Sequence, residues 1–295
     1  MKVLSLYCGG GGIDEGLKQA GIKTTLAIDV WKDAIETIKL NHDCETIVGK
    51  VGDYLESFND FDIVVGGPPC PEFSRANINR TLDMCEVNNF WSVVERCKPK
   101  YYLMENVQDV NKKLIKHNFL INMADYGVPQ KRERRFYTNL ELPRHTHSEK
   151  PQTNLFGEKQ KKWISIKEAL GLTGIIQNRK STFEEEEYRE YSTDEPSITI
   201  LTDSRIWFYK DVLEKQHEPM NLNKPSRTIT LPHEFGDDVI TDGIYCRKLT
   251  SHEKQILQGF PKDYKFHGTK NSVETQIGNA VPPSPIREFF KQVII

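Results

Sequence analysis

The sequence predicts an α/β fold: a parallel β-sheet assembled from βαβ units, followed by a second, smaller and irregular β-rich domain. Three observations carry that reading. Short apolar, β-rich runs alternate with helical patterns over the first 140 residues. The pattern breaks from Leu142 to Ile175 into Pro, His, Lys and Gln, as a hinge region does. Beyond the break, Glu195-Pro-Ser-Ile-Thr-Ile and Lys224-Pro-Ser-Arg-Thr-Ile-Thr each read as a Pro-Ser turn feeding a short strand.

In order, the expected strands are Val3–Tyr7, Thr24–Asp29, Glu45–Val48, Asp62–Val65, Tyr101–Glu105, Phe119–Met123 and Arg135–Asn139. The expected helices between them are Ile13–Ala20, Trp31–Asn41 and Cys85–Cys97. Trp31, Ala34, Ile35 and Ile38 recur at i, i+3, i+4 and i+7, so that helix has one face for the sheet. Between Glu105 and Phe119 only about a dozen residues remain, close to the minimum for a parallel crossover, so any helix there is short or partly absent. A short helix follows Trp163 at Ile164–Leu170. Helical pattern returns at Ser251–Gln258 and Ser284–Val293, separated by loops rich in Gly and Pro.

A chain of 295 residues has room for one large domain or a large one with a smaller partner. With 37% hydrophobic and 28% charged residues and a mean hydropathy of -0.57, it reads as globular rather than disordered. No run approaches the ~18 apolar residues of a membrane span, and MKVLSLYCGG lacks the layout of a signal peptide. A cytoplasmic protein with no membrane contact is expected.

The net charge of -2 gives no global argument for a nucleic-acid partner. Charge is nonetheless segregated: Lys98 to Arg135 holds nine basic residues against four acidic ones, and Phe183 to Glu195 seven acids against one Arg. Either run also fits a plain solvated face. The six Cys are widely and irregularly spaced, which indicates neither a disulfide framework nor a zinc site. His145 and His147 have no third ligand near in sequence, and no metal is expected. Trp163, Trp207 and Phe208 fit the core and a DNA-facing surface equally.

Four segments carry chemistry. Val3-Leu-Ser-Leu-Tyr-Cys-Gly-Gly-Gly-Gly-Ile runs from a strand through glycines into a helix, which lets backbone approach a cofactor. Asp29 ends the next strand, where a carboxylate either accepts ribose hydroxyls or caps a helix. Asp53 suits an adenine amino group or a turn cap. Val65-Gly-Gly-Pro-Pro-Cys70 ends a buried strand in rigid turn chemistry and presents a thiol at the sheet edge. Cys8, Cys44 and Cys97, set in apolar runs, read as small buried hydrophobes. Met104-Glu105-Asn106-Val107 ends another strand, and in Gln130-Lys131-Arg132-Glu133-Arg134 the two alternate Arg share one face of an extended segment.

The glycine-rich strand end, Pro-Pro-Cys70, Glu105-Asn-Val, Gln130-x-Arg132-x-Arg134, Arg247-Lys-Leu-Thr…Glu253…Leu257-Gln-Gly-Phe-Pro261 and Gly278-Asn-Ala-Val-Pro-Pro283 stand in the order seen in DNA (cytosine-5)-methyltransferases. The chain resembles that family, of the bacterial or phage restriction-modification type, at both ends and over most of its length, with about Thr173–Asn223 unmatched. The resemblance implies a Rossmann-like domain that binds S-adenosylmethionine, over residues 1–160 plus 276–295. It implies a smaller target-recognition domain at 161–275, with double-stranded DNA in the cleft between them. Tyr7, Gly9, Gly11, Asp29, Asp53, Pro69 and Asn279 would line the cofactor site. Cys70 would be the nucleophile that adds to carbon-6 of a flipped cytosine, Glu105 the group on the ring nitrogen, and Arg132 and Arg134 the clamp around base and nucleophile.

The same resemblance implies a monomer that works alone or beside a separately encoded restriction endonuclease. It also has an RNA-modifying branch acting on transfer RNA, whose usual Cys-Phe-Thr signature is lacking here, and non-catalytic relatives, which lose the Cys or Glu that this chain keeps. Departures from the family pattern are Pro71-Glu72 where a Gln usually follows the nucleophile, the lack of Gly in Arg75–Asn89, and the short Glu105 to Phe119 connection.

Overall fold

The computed structural model describes residues 1–69, 84–107, 118–153, 159–181, 186–200, 206–211, 238–241 and 244–294. The first half runs β1 (Val3–Leu6), α1 (Gly12–Gln19), β2 (Leu26–Asp29), α2 (Lys32–Asn41), β3 (Glu45–Val48), a 3-10 segment at Val51–Ser57, β4 (Ile63–Gly66), α3 (Cys85–Cys97), β5 (Tyr101–Asn106), β6 (Asn118–Asn122), a 3-10 turn at Met123–Tyr126 and β7 (Glu133–Thr138). These strands form one sheet in the order β3-β2-β1-β4-β5-β7-β6. From β3 to β5 every pairing is parallel.

The far edge corrects the expectation of a parallel crossover after Glu105. β7 slots between β5 and β6 and is antiparallel to both. The segment where a short helix was expected, 108–117, lies outside the described residues.

Alternation along the strands divides the core between two sheet faces. Val3, Ile63, Val65 and Leu103 pack with Ile13 and Leu17 of α1 on one face. Leu4, Leu6, Val64 and Met104 pack with Val87, Phe90 and Val93 of α3 on the other. β1 and β4 are buried along their whole length, as strands covered on both faces must be.

The remaining elements are β8 (His147–Ser148), β9 (Lys161–Lys162), α4 (Ile166–Leu170), β10 (Ile175–Ser181), β11 (Glu186–Ser192), β12 (Ile206–Asp211), β13 (Asp238–Thr241), β14 (Ile244–Lys248), α5 (Ser251–Leu257), α6 (Lys270–Asn279) and α7 (Pro283–Ile294). β10 to β14 make a separate antiparallel sheet in the order β11-β10-β12-β14-β13, the irregular β-rich part that the sequence predicts.

Two local expectations change. The Gly- and Pro-rich stretch before the last helix contains α6, whose start is marked by Thr269 accepting from the Ser272 N–H. The Glu195-Pro-Ser run does not feed a strand of the second sheet; Ser197 instead bridges in parallel to Gln130. The Lys224 run lies outside the described residues.

The last helix returns to the first. Ile286, Phe289 and Phe290 of α7 are fully buried in the α1 face of the core, each stabilising by about 1.5–3 kcal/mol. Tyr264 donates from its hydroxyl to the Gly10 carbonyl at 2.9 Å. Gln276 accepts from Thr37 at 2.6 Å. No helix among the described residues is long and apolar enough to cross a membrane.

Candidate active site

The strand order reverses at β1, whose neighbours are β2 and β4. Loops leaving the carboxyl ends of β1 and β4 therefore diverge, and a crevice opens between them. Tyr7 follows β1 with φ at 52°, a left-handed conformation that costs a residue with a side chain about 1–2 kcal/mol. Its hydroxyl donates to the Glu86 carboxylate at 2.7 Å and lies 3.1 Å from the same residue's carbonyl oxygen.

The Gly9 N–H donates to one oxygen of Asp29 and the Trp31 N–H to the other, both at 2.9 Å. Burial pushes the Asp29 carboxyl up, and these backbone donors oppose the shift. Each oxygen keeps a lone pair for a ligand hydroxyl. Asp29 thus braces its own loops and does not cap α2, which has no side-chain cap.

The four consecutive glycines have different surroundings. A Cβ on Gly9 would meet nothing within 4 Å. One on Gly10 would come 3.2 Å from Gln276 and Phe266, one on Gly11 would overlap the Tyr264 hydroxyl, and one on Gly12 would overlap the Val281 carbonyl. Gly9 alone of the four borders open space; the others let the C-terminal segment press against the loop. Asp53 is exposed in its 3-10 segment, where its N–H donates to the Lys50 carbonyl at 3.1 Å. Pro69 is exposed after β4, and Asn279 is exposed at the end of α6.

A second group gathers at the end of β5. Glu105 is buried, and its carboxylate lies 3.1 Å from the Arg134 Nε. Burial pushes the Glu105 carboxyl above the usual range, against the opposing pull of Arg134 and then Arg132. The other Glu105 oxygen sits 3.5 Å from where a Cβ on Gly67 would stand, at the base of the Pro-Pro turn. Asn106 donates to the Pro68 carbonyl at 3.2 Å, tying that turn to β5. Cys70, two residues past Pro68, lies outside the described residues, as do Pro71 and Glu72.

Arg132 is placed differently from Arg134. It is 2% exposed and donates to the carbonyls of Ile200 at 3.1 Å, Gly278 at 3.0 Å and Ala280 at 3.5 Å. Its Nε has no hydrogen-bond partner among the described residues. Gln130, also buried, donates to the Gln258 side chain at 2.7 Å and accepts from the Ile200 N–H at 3.1 Å. Gln258 passes the connection on to the Ala280 carbonyl at 2.6 Å. Separate sequence motifs, Gln130-x-Arg132, Leu257-Gln258-Gly and Gly278-Asn-Ala280, are thereby one buried polar network. Arg247 and Glu253 form a two-pronged ion pair at 2.6 Å, and Glu253 closes a capping box with Thr250 at the start of α5.

The model of the C-5 cytosine-specific DNA methylase family matches residues 1–294. The chain belongs to that family. Among curated relatives of this methylase chain, type II methyltransferase M.NgoFVII of Neisseria gonorrhoeae is 28% identical over 333 residues, covering 99% of this chain and 86% of its own. M.HgiDI of Herpetosiphon aurantiacus is 28% identical, covering 96% and 90%. Two solved structures share the fold at 18% identity. One, described as a prophage-encoded DNA modification methyltransferase of E. coli, has a TM-score of 0.60 and covers 100% of this chain and 98% of its own. The other, a Spodoptera frugiperda DNMT2 mutant, has a TM-score of 0.62 and covers 100% and 99%.

Methylases of this family use S-adenosylmethionine as a general property, and the β1 crevice fits an adenosyl group. Gly9 leaves a space that any side chain would fill, and Asp29 offers acceptors beside it. Of the residues expected around the cofactor, Gly9 and Asp29 are hydrogen-bonded to each other, and Tyr7 stands two residues before Gly9 with its hydroxyl on Glu86. Gly11 faces Tyr264 and Ile38. Glu105 and Arg134 meet as an ion pair, whereas Arg132 anchors to backbone carbonyls.

Sequence reading missed Glu86, Gln258 and the Ser197–Ile200 run. Gln258 stands inside a recognised motif, but nothing local shows that it bonds Gln130. Ser197 and Ile200 lie where the pattern reads as second-domain loop. Of the three thiols read as small buried hydrophobes, Cys8 is buried, whereas Cys44 and Cys97 are half-buried at the margins of apolar clusters; burial pushes Cys8 well up, Cys44 up to about 11 and Cys97 up. Trp163 is half-buried, donating to Asp125 at 2.9 Å under the Lys131 ammonium; the side chains of Trp207 and Phe208 are outside the described set.

Proposed function

We propose that this protein is a sequence-specific methyltransferase acting on carbon-5 of cytosine in double-stranded DNA, through a covalent Cys70 adduct. The observation that carries the chemistry is the buried Glu105 beside Arg134. When bound at the β1 crevice, S-adenosylmethionine supplies the methyl group. Tyr7, Gly9, Gly11, Asp29, Asp53, Pro69 and Asn279 are proposed to line its site.

Carbon-5 of cytosine is a poor nucleophile, so a thiolate at Cys70 adds first to carbon-6 and pushes electron density toward carbon-5. The negative charge needs a partner at the ring nitrogen. A carboxyl held above its usual range keeps a proton to share there, which Glu105 is suited to do. Arg134, which is only partly buried, can hold the base carbonyl while steadying Glu105. Arg132 is proposed to serve the site from behind, by fixing the strand that carries Arg134. After methylation a base takes the carbon-5 proton, the carbon-5–carbon-6 double bond re-forms, and the carbon-6–sulfur bond breaks to release Cys70 as a thiolate. The target must be flipped from its stack, at a cost of a few kcal/mol, and the basic Lys98–Arg135 run is suited to hold flanking phosphates.

The division into a catalytic part, 1–160 plus 276–295, and a target-recognition part, 161–275, is supported by the separate antiparallel sheet formed by β10 to β14. The enzyme is inferred to act as a monomer in the cytoplasm, alone or beside a separately encoded restriction endonuclease. The deciding experiment transfers labelled methyl from S-adenosylmethionine to mixed-sequence duplex DNA and, separately, to transfer RNA, using the protein and its Cys70→Ala variant. Label in DNA that depends on Cys70 supports the proposal, and mapping the modified cytosines gives the target. Label on transfer RNA alone overturns it.

A further inference from the structure

Glu86 and Asn89 occupy one face of the first turns of α3, three residues apart, and neither takes part in the chemistry above. The Glu86 carboxylate oxygen that accepts from Tyr7 at 2.7 Å also accepts from the Asn89 amide at 3.3 Å. That amide nitrogen lies 3.2 Å from where a Cβ on Gly52 would stand, next to Asp53. The helix edge therefore touches two separate walls of the crevice, the Tyr7 loop and the 3-10 segment of Asp53. Glu86 is not spent on helix capping, since α3 has no side-chain cap. Burial, then the bond to Glu86, push the Tyr7 hydroxyl far up, so it remains a donor at every working pH.

We propose that Glu86 and Asn89 are positioning residues of the cofactor site, which hold the Tyr7 ring and the Gly52–Asp53 turn at the separation an adenosyl group needs. They set affinity for the adenosyl compound without touching the methyl group or the cytosine. The inference rests on the crevice being the S-adenosylmethionine site.

The test is calorimetric titration of S-adenosylhomocysteine into the full chain without DNA, for wild type, Tyr7→Phe, Glu86→Ala and Glu86→Gln, with a thermal melt of each. Tyr7→Phe removes one oxygen and keeps the ring, so it decides the matter if Glu86→Ala folds poorly. Losing one charge-assisted hydrogen bond that orders a binding loop is expected to weaken binding about 10-fold in Tyr7→Phe and Glu86→Ala. Glu86→Gln, whose amide oxygen still accepts from Tyr7, should recover to within about threefold. In methyl transfer, KM for S-adenosylmethionine should rise by more than kcat falls. Affinities of Tyr7→Phe and Glu86→Ala within about twofold of wild type, whatever their melting temperatures, overturn the inference. So does Glu86→Gln binding as weakly as Glu86→Ala. A wild-type protein that binds no adenosyl compound overturns the cofactor-site reading itself.

Discussion

The Arg134 guanidinium lies 3.1 Å from the Glu105 carboxylate although the two residues sit on strands of opposite direction. The antiparallel insertion of β7 makes this possible. Its first residues adjoin the last residues of β5, with Arg135 opposite Asn106 and Phe136 opposite Glu105. Had β7 run parallel, Arg134 would sit at the other end of the sheet. The charge pairing leaves Glu105 above the usual carboxylate range because burial outweighs Arg134 and Arg132.

Glu105→Gln should reduce single-turnover methyl transfer by roughly 10²–10⁴-fold, the usual contribution of a positioned proton carrier. Cofactor binding should be retained, since Glu105 is not among the residues around Gly9. A loss of less than about tenfold would remove Glu105 from the proton-holding role.

Arg134→Ala tests the electrostatics by its sign. The active form of Glu105 carries a proton, so activity falls as pH rises through its pKa. Arg134 lowers that pKa, and removing it should move the descending limb of the rate profile to higher pH while lowering the maximum rate. A limb that stays fixed, or moves to lower pH, would show that the Arg134 charge is not felt at Glu105.

Gln258→Leu should destabilise the protein by about 1–3 kcal/mol, because it leaves the buried Gln130 amide and Ala280 carbonyl only their longer bonds, to the Leu257 carbonyl at 3.3 Å and from Arg132 at 3.5 Å. Urea unfolding with an unchanged slope reads the loss directly. Equal stability would mean that water or a rotated Gln130 replaces both bonds.

Two glycine substitutions should separate packing from binding. Gly12→Ala places a methyl against the Val281 carbonyl and should cost about 1–3 kcal/mol or more through overpacking. Gly9→Ala meets open space but sits at φ 51°, so its stability cost should stay near 1–2 kcal/mol. Its adenosylhomocysteine affinity should nonetheless fall further than that of Gly12→Ala variants that remain folded. The reverse order in a paired melt and titration would move the cofactor away from Gly9.

Most of the sheet was legible because buried parallel strands announce themselves as apolar runs bounded by glycine. β3 and α3 have the boundaries that periodicity predicts. The direction of β7 was not legible, because pairing partners are chosen by tertiary packing rather than by any local signal. α6 escaped notice for a related reason: Val273 and Ile277 are its only large apolar residues, and its buried Gln276 is held by polar bonds to Thr37 and His267. At the site, residue types were readable but their division of labour was not. Arg132 and Arg134 look equivalent in Gln-x-Arg-x-Arg, yet one meets carbonyl oxygens and the other a carboxylate.

The closure of the Gly10 loop by Tyr264 spans 254 positions of chain, and this has a bearing on how the enzyme is born. During synthesis the glycine loop, α1 and most of the first sheet leave the ribosome long before the segment that completes them. Until α7 arrives, the part of the α1 face of the core that Ile286, Phe289 and Phe290 fill stays open, and contacts of such long sequence separation form slowly. The glycine loop and the α1 face therefore reach their final packing only once the segment from Tyr264 to α7 has been made.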